Sequence, residues 1–381
     1  MRFHIPAIPH TVTNKQFLSC AYTQRVWKLC KAFTLLGHEV FHYGCEGSDP
    51  PCTETVDIAS AEERNKYWPV DWKKQFQPWG HPEQFMAGFT ANAIKEIRQR
   101  LRPADILLCP WGAQHKAIAD GCPEAIVIEP GVGYEPTFAA FKAFQSYAYM
   151  MWWYGAKGVR DPSWYDCVIP NIIDPDEFTY SDKKDDYFLY IGRILKLKGV
   201  QTAVQICKSA GVKLVVAGQG EPFNQAQGIN LLEDHVEFVG MADEKKRREL
   251  LSKAKAILAP TNTLEVFGNI AVEANMSGTP AITVDWGGFV ENVIHGITGY
   301  RCRCMDHFVW AVKNIDALSS ESCRNWAFDN FNPERIGRMY EEYVRLIMTT
   351  HSKEGWYKVD RDRKSLDWIA RWHPSQSECP F

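Results

Sequence analysis

The feature that most restricts how this chain can fold is the recurrence, along its whole length, of a short apolar run followed by a helical pattern. In the first half the runs are Arg2–Ile5, Val40–Tyr43, Ile106–Cys109 and Ala125–Glu129, and a helical stretch from about Tyr22 to Leu36 is stopped by Gly37. In the second half they are Tyr187–Ile191, Lys213–Ala217, Val236–Val239, Ala256–Ala259, Ala281–Val284 and Tyr300–Arg301. Strands alternating with helices build sheets covered on both faces, so the expected class is α/β with two Rossmann-like, doubly wound domains. A length of 381 residues suits two domains or one large one, and 45% hydrophobic content is ample for buried cores. Two prolines in Ile169–Phe178 break any continuous element, which marks a connection there.

The charge balance excludes a globally basic nucleic-acid binder: 43 Lys and Arg stand against 46 Asp and Glu. A local basic cleft for a polyphosphate leaves that balance untouched. The twelve cysteines contain no C-x-x-C pair and several lie in apolar strand-like runs, so they read as reduced thiols of a cytoplasmic protein. Cys302-Arg-Cys304 reads as a strand end in preference to a metal site. The start, MRFHIPAIPHTV, lacks the long apolar core of a secretory signal, and no stretch reaches membrane-spanning length. From Phe138 to Tyr154, aromatic and apolar residues recur at helical spacing, which predicts a core-facing helix; peripheral membrane contact or an acceptor wall is the other reading.

The chemistry concentrates between Leu264 and Gly299. Phe267-Gly268-Asn269 lets the backbone approach a ligand at the start of a helix, where the amides of Asn269 and Ile270 and the helix dipole favour phosphate. Glu265 and Glu273, separated by seven residues, repel phosphate but accept hydrogen bonds from sugar hydroxyls. A nucleoside diphosphate sugar combines both demands.

With Gly278-Thr-Pro280, Gly287-Gly288-Phe-Val-Glu291 and Gly296-Ile-Thr-Gly299 following, this stretch resembles the C-terminal signature of the retaining GT-B glycosyltransferases of family four. The resemblance implies a GT-B fold, with an acceptor domain at 1–168, a connection at 169–185, a nucleotide-sugar domain at 186–350, and a tail, about 351–381, that packs back on the first domain. It also implies the activity: a sugar moves, with retention, from a UDP- or GDP-sugar to a hydroxyl of a glycan or glycoconjugate.

Gly192-Arg193 and Lys198 lie in a loop directly after a strand, where open α/β sheets bind ligands, and both cations reach one diphosphate. The resemblance gives this Arg/Lys pair the leaving nucleotide. Gly218, in Val215-Val-Ala-Gly-Gln-Gly220, marks a second strand-end turn, and Val239, Gly240 and Met241 offer backbone groups to the base. Glu265 would orient the donor sugar and Glu273 would hold the ribose. These cations and the helix start supply the charge a metal would bring, so no metal or cofactor is expected; Asp174-Pro-Asp176 and Asp360-Arg-Asp362 are chance D-x-D matches.

The first half departs from the family. Ile8–Phe17 is a longer polar segment in place of a glycine-rich loop, and is expected to bind acceptor or close over the donor. His115 is a candidate to hydrogen-bond the sugar or the incoming hydroxyl. Glu129 stands where many relatives carry a histidine, and is expected to substitute for it in part. Of the fourteen tryptophans, Trp68, Trp72, Trp79, Trp111, Trp152 and Trp153 offer stacking faces, although most read as core. Three alternatives stay open: a nucleotide-sugar epimerase of the same fold, an inactive nucleotide-sugar binder, and transfer to a hydroxylated DNA base, which the near-neutral charge disfavours.

Overall fold

The structure is a computed structural model that describes residues 1–17, 20–69, 80 and 82–351, the last two by backbone. Trp72, Trp79, Asp360-Arg-Asp362 and the tail after His351 lie outside the described residues. The fold divides into two compact units: Met1–Gln145 with Val159–Ile172 and the chain from Pro333, and Ser146–Gly158 with Ile173–Asn332.

In chain order the first part comprises β1 (Arg2–Pro6), α1 (Ala21–Leu35), β2 (Glu39–Cys45), β3 (Glu54–Ala59), α2 (Ala61–Tyr67), α3 (Glu83–Arg100), β4 (Ile106–Leu108), α4 (Lys116–Asp120), β5 (Ile126–Val132), β6 (Phe141–Phe144), α5 (Tyr147–Lys157) and β7 (Cys167–Val168). Unit 1 holds one seven-stranded sheet, ordered β3-β2-β1-β4-β5-β6-β7, with every recorded pairing parallel. Helix α3 buries Phe85, Phe89, Ala93 and Ile97, a four-residue repeat that keeps one face on the sheet beside Phe41, Tyr43 and Leu107.

Unit 2 comprises β8 (Phe188–Ile191), α6 (Val200–Ala210), β9 (Leu214–Ala217), a small hairpin of β10 (Phe223–Asn224) and β11 (Ile229–Asn230), β12 (Val236–Phe238), α7 (Glu244–Lys253), β13 (Ala256–Ala259), α8 (Asn269–Met276), β14 (Ala281–Val284), α9 (Phe289–Asn292), β15 (Gly299–Cys302), α10 (Met305–Lys313) and α11 (Ser320–Phe331). Its sheet is parallel throughout, ordered β12-β9-β8-β13-β14-β15. Strands such as Leu214–Ala217 and Ala256–Ala259 are buried along their whole length, as a sheet covered on both faces requires.

Helix α12 (Pro333–His351) returns to unit 1. It buries Ile336, Met339, Tyr340, Tyr343 and Ile347; Tyr340 meets Phe33 of α1 edge-on at 5.8 Å, and Gly337 leaves room for Leu36. Relative to the boundaries expected at residues 168 and 185, the division falls after Ile172, α5 groups with unit 2 and α12 with unit 1.

One expectation needs correction. The helix expected from Phe138 is strand β6 over Phe141–Phe144, because Phe141 pairs with Ile128 and Ala143 with Cys167 on either side. Helix α5 starts only at Tyr147, capped by the Ser146 hydroxyl on the Tyr149 amide, and it leaves Met151 and Trp152 exposed while burying Tyr149, Met150 and Tyr154. The polar segment Ile8–Phe17 packs into unit 1: Thr11 meets the Thr23 hydroxyl at 2.6 Å and Thr13 the His42 ring at 3.0 Å. No helix among the described residues is long and apolar enough to cross a membrane.

Candidate nucleotide-sugar site

In the sheet of unit 2 the strand order reverses at β8 and β13, which sit side by side while their connections run to opposite edges. Ligands of doubly wound folds bind outside the carboxyl ends of strands at such a point. The loops that leave β8 and β13 carry Arg193, Lys198 and Glu265, and they are locked together. The Thr261 hydroxyl and the Asn262 amide both donate to the Leu197 carbonyl, at 3.0 and 2.9 Å. Gly199, at φ +75°, passes so close to β13 that a Cβ there would lie 2.0 Å from the Pro260 carbonyl oxygen. Contact this tight fixes where the two loops present their charged groups.

Lys198 Nζ lies 2.6 Å from Glu265 Oε2, and both side chains keep some exposure. The Arg193 guanidinium is exposed and makes no hydrogen bond or ion pair among the described residues, while its own carbonyl accepts from the Tyr190 hydroxyl at 2.9 Å. Glu265 is held through its backbone. Its carbonyl accepts from the Gly288 amide at 2.8 Å, and Gly287 at φ +63° passes against it. Trp286, which sequence reasoning passed over, lies in the same loop: exposed, it donates from Nε1 to the Thr263 carbonyl at 3.3 Å.

Helix α8 starts from Gly268 in the left-handed region, φ +84°, with no side-chain cap. A Cβ at Gly268 would sit 2.4 Å from the Phe289 ring, so both conformation and space demand glycine. Phe267 is buried, and its carbonyl accepts from the Asn292 side chain. Asn269 and Ile270 are the first two residues of α8, at the helix end whose dipole favours an anion. One turn further along, Glu273 is buried and ion-paired with Arg247 of α7, whose guanidinium also lies 5.5 Å above the Phe178 ring.

The glycines at the other strand ends form a chain of backbone contacts. The Gly192 amide donates to the Ala217 carbonyl at 3.0 Å and the Gly218 amide to the Gly240 carbonyl at 2.8 Å. A Cβ at Gly218 would lie 1.7 Å from the Gly192 oxygen. Val239 donates to Val216, and Met241 beyond it is exposed. The structure therefore brings Gly192, Arg193, Lys198, Gly218, Glu265 and Gly268 to the carboxyl ends of one sheet.

His115 and Glu129 lie in unit 1, and both are turned to structural work. His115 is fully buried; its Nε2 meets the Ala7 carbonyl at 3.1 Å, and burial pushes its pKa down to about 4. Glu129 is fully buried, with Oε2 accepting from the amides of Phe138 and Ala139 at 3.0 and 2.9 Å. Burial pushes its pKa up to about 7 against those two hydrogen bonds. It thereby ties down the connection that joins β5 to β6. As found, neither side chain presents a polar group to solvent. Glu291, seen in the sequence only as part of a motif, accepts from the Tyr147 and Ala148 amides at 2.9 and 2.7 Å and so caps α5. Asp174 caps a short turn by accepting from the Asp176 amide at 3.1 Å.

Residues 175–327 match the sequence model of the family described as "Glycosyl transferases group 1". This stretch is similar to a group 1 glycosyltransferase domain. Among curated relatives of the group 1 domain, glycogen synthase of Mycobacterium tuberculosis is 33% identical over 152 residues, covering 36% of each chain. N-acetyl-alpha-D-glucosaminyl L-malate synthase of Bacillus anthracis is 30% identical over 174 residues, covering 42% of this chain and 45% of the relative. The chain thus spans less than half the length of these relatives. Solved structures extend the likeness to both units. A glycosyltransferase involved in avilamycin A biosynthesis superposes with a TM-score of 0.62 at 20% identity, over 92% of this chain and 98% of that one. HepE of Anabaena, solved with UDP and glucose, gives a TM-score of 0.60 at 14% identity, over 91% and 99%. Similarity at that level carries the fold, and the fold is GT-B.

Proposed function

We propose that the chain transfers a sugar from a nucleoside diphosphate sugar to an acceptor hydroxyl, with retention and without a metal. The observation that supports this most is the Lys198–Glu265 pair, 2.6 Å apart at the point where strand order reverses, on the same sheet ends as an exposed Arg193 and the glycine-led start of α8. An ammonium, a guanidinium and converging amides stabilise the charge that grows on a departing diphosphate. Glu265, next to that charge, orients donor-sugar hydroxyls, and Glu273, braced by Arg247, holds the ribose. The bond from the anomeric carbon to the phosphate oxygen breaks, and the acceptor oxygen bonds to the same carbon on the same face. The acceptor proton passes to the departing phosphate oxygen. Unit 1 supplies the acceptor pocket, and His115 and Glu129 keep its strand-end loops in place. HepE, solved with UDP and glucose, suggests UDP as the first base to try.

A panel of UDP- and GDP-sugars, assayed for released nucleotide with and without acceptors, identifies the donor. With that donor, Glu265→Gln and Lys198→Ala should each lower turnover at least roughly a hundredfold, the usual effect of losing a group that stabilises transition-state charge. Glu273→Ala should raise the nucleotide Kd about tenfold with a smaller effect on turnover. Near-wild-type turnover in the first two variants would remove the proposed site.

A further inference from the structure

Unit 1 has its own reversal of strand order, between β1 and β4, and an arginine stands at it. Arg25, in the second turn of α1, is half-buried and directs Nη1 to the Pro110 carbonyl just beyond β4, at 3.4 Å. Its guanidinium lies 5.5 Å above the Tyr22 ring. Tyr22 in turn stands 5.8 Å from Tyr134. The Tyr134 hydroxyl is buried and has no hydrogen-bond partner. No carboxylate pairs with Arg25 among the described residues.

Two glycines exist to admit this group. Gly131, at the carboxyl end of β5 with φ +62°, would place a Cβ 2.6 Å from Arg25 Nε. Gly112, after β4 with φ +61°, would place one 2.4 Å from the Tyr134 ring. Both positions also need the left-handed backbone that glycine tolerates best. The chain thus gives up two side chains at the mouth of this sheet to seat a cation and a phenol. A weak carbonyl contact and an aromatic face leave a partly desolvated guanidinium short of hydrogen-bond acceptors, the condition in which its fork binds a pair of carboxylate or phosphate oxygens best.

We propose that Arg25 and Tyr134 form an anion subsite of the acceptor pocket, so that the acceptor is a hydroxyl compound carrying a phosphate monoester or a carboxylate. This rests on the reading of the chain as a glycosyltransferase, because the subsite is assigned to acceptor and the donor diphosphate to Arg193 and Lys198.

The test is calorimetric titration of the full chain, first with UDP and GDP, then, with the tighter nucleotide saturating, with glycerol, glycerol 3-phosphate and glycerate. At least one anionic ligand should bind at least tenfold more tightly than glycerol, and the difference between phosphate and carboxylate identifies which anion the acceptor carries. Arg25→Gln should weaken the anionic ligand at least tenfold, Arg25→Lys less, and Tyr134→Phe severalfold, with nucleotide affinity within twofold of wild type in each. Tyr134→Phe removes a single oxygen and keeps the test valid if the arginine variants misfold. Equal binding of glycerol and its anionic relatives, no binding of either, unchanged affinity in Arg25→Gln, or loss of nucleotide affinity in that variant would each overturn the subsite. Failure of the wild-type chain to bind any nucleotide would instead count against the donor reading; glycerol, glycerol 3-phosphate and glycerate titrated into the nucleotide-free chain then decide the subsite by the same outcomes.

Discussion

At Glu129 a buried carboxyl is held near neutrality, and this fixes the sign of a pH effect. Its pKa is raised to about 7 from an ordinary value of 4.5, so between those values the native state binds more protons than the unfolded chain. The stability this group contributes is fully present below about 4.5 and is lost as pH rises through about 7. Glu129→Gln keeps an acceptor for the Phe138 and Ala139 amides but cannot ionise. Relative to wild type, the variant should therefore gain on the order of 3 kcal/mol between pH 5 and pH 8, read from denaturant unfolding at the two values. A constant difference would show that the carboxyl is solvated. The sequence offered Glu129 as a candidate from its place after a strand, but what occupies it are amides nine and ten residues away, invisible to strand periodicity. Lys198 and Glu265 were legible for the opposite reason: they flank glycine-marked turns at strand ends, where the position of a side chain follows from local backbone.

Among the elements, α5 shows how a distant side chain decides where a helix begins. Its first two amides are satisfied by Glu291. Glu291→Ala should cost about 1–2 kcal/mol, the scale of a lost helix cap, and should raise the amide hydrogen exchange of α5 above that of α8. Unchanged exchange in α5 would mean that Ser146 suffices. The phenylalanines at 138, 141 and 144 suggested a helix because a three-residue repeat fits one face of it. The competing signal is the pair of parallel partners at Ile128 and Cys167, which belong to other stretches of sequence. The strands of unit 2 were read within a residue of their ends because each is a short apolar run bounded by turn residues. The two-residue strands β7, β10 and β11 are too short to leave any periodic trace.

For the molecule as a whole, the thiols give a direct reading of packing. Of the described cysteines seven are buried, three are half-buried and Cys304 is exposed. Burial pushes several of these thiols far up, Cys45 and Cys302 to about 12, which holds them as inert neutral groups. Among the described thiols, a reagent should label Cys304 fast, a component that Cys304→Ser removes, and the seven buried ones only on unfolding; the melting temperature should be indifferent to reductant. Rapid labelling of all thiols in the native protein would contradict the two cores. The two-unit α/β plan was legible from alternation alone. The return of the chain to unit 1 was expected from the resemblance alone, and in the tail from about 351; that it begins with α12 was not legible, because an amphipathic helix does not say which sheet it will cover.

That return has a consequence for how the protein is made. The groove of α1 that receives Tyr340 is built from residues synthesised at the beginning, while its cover leaves the ribosome only after Pro333. During translation the sheet of unit 1 waits, with Phe33 and Leu36 uncovered, for the whole of unit 2 to emerge, so the nascent chain carries an apolar face that chaperones can hold until α12 arrives.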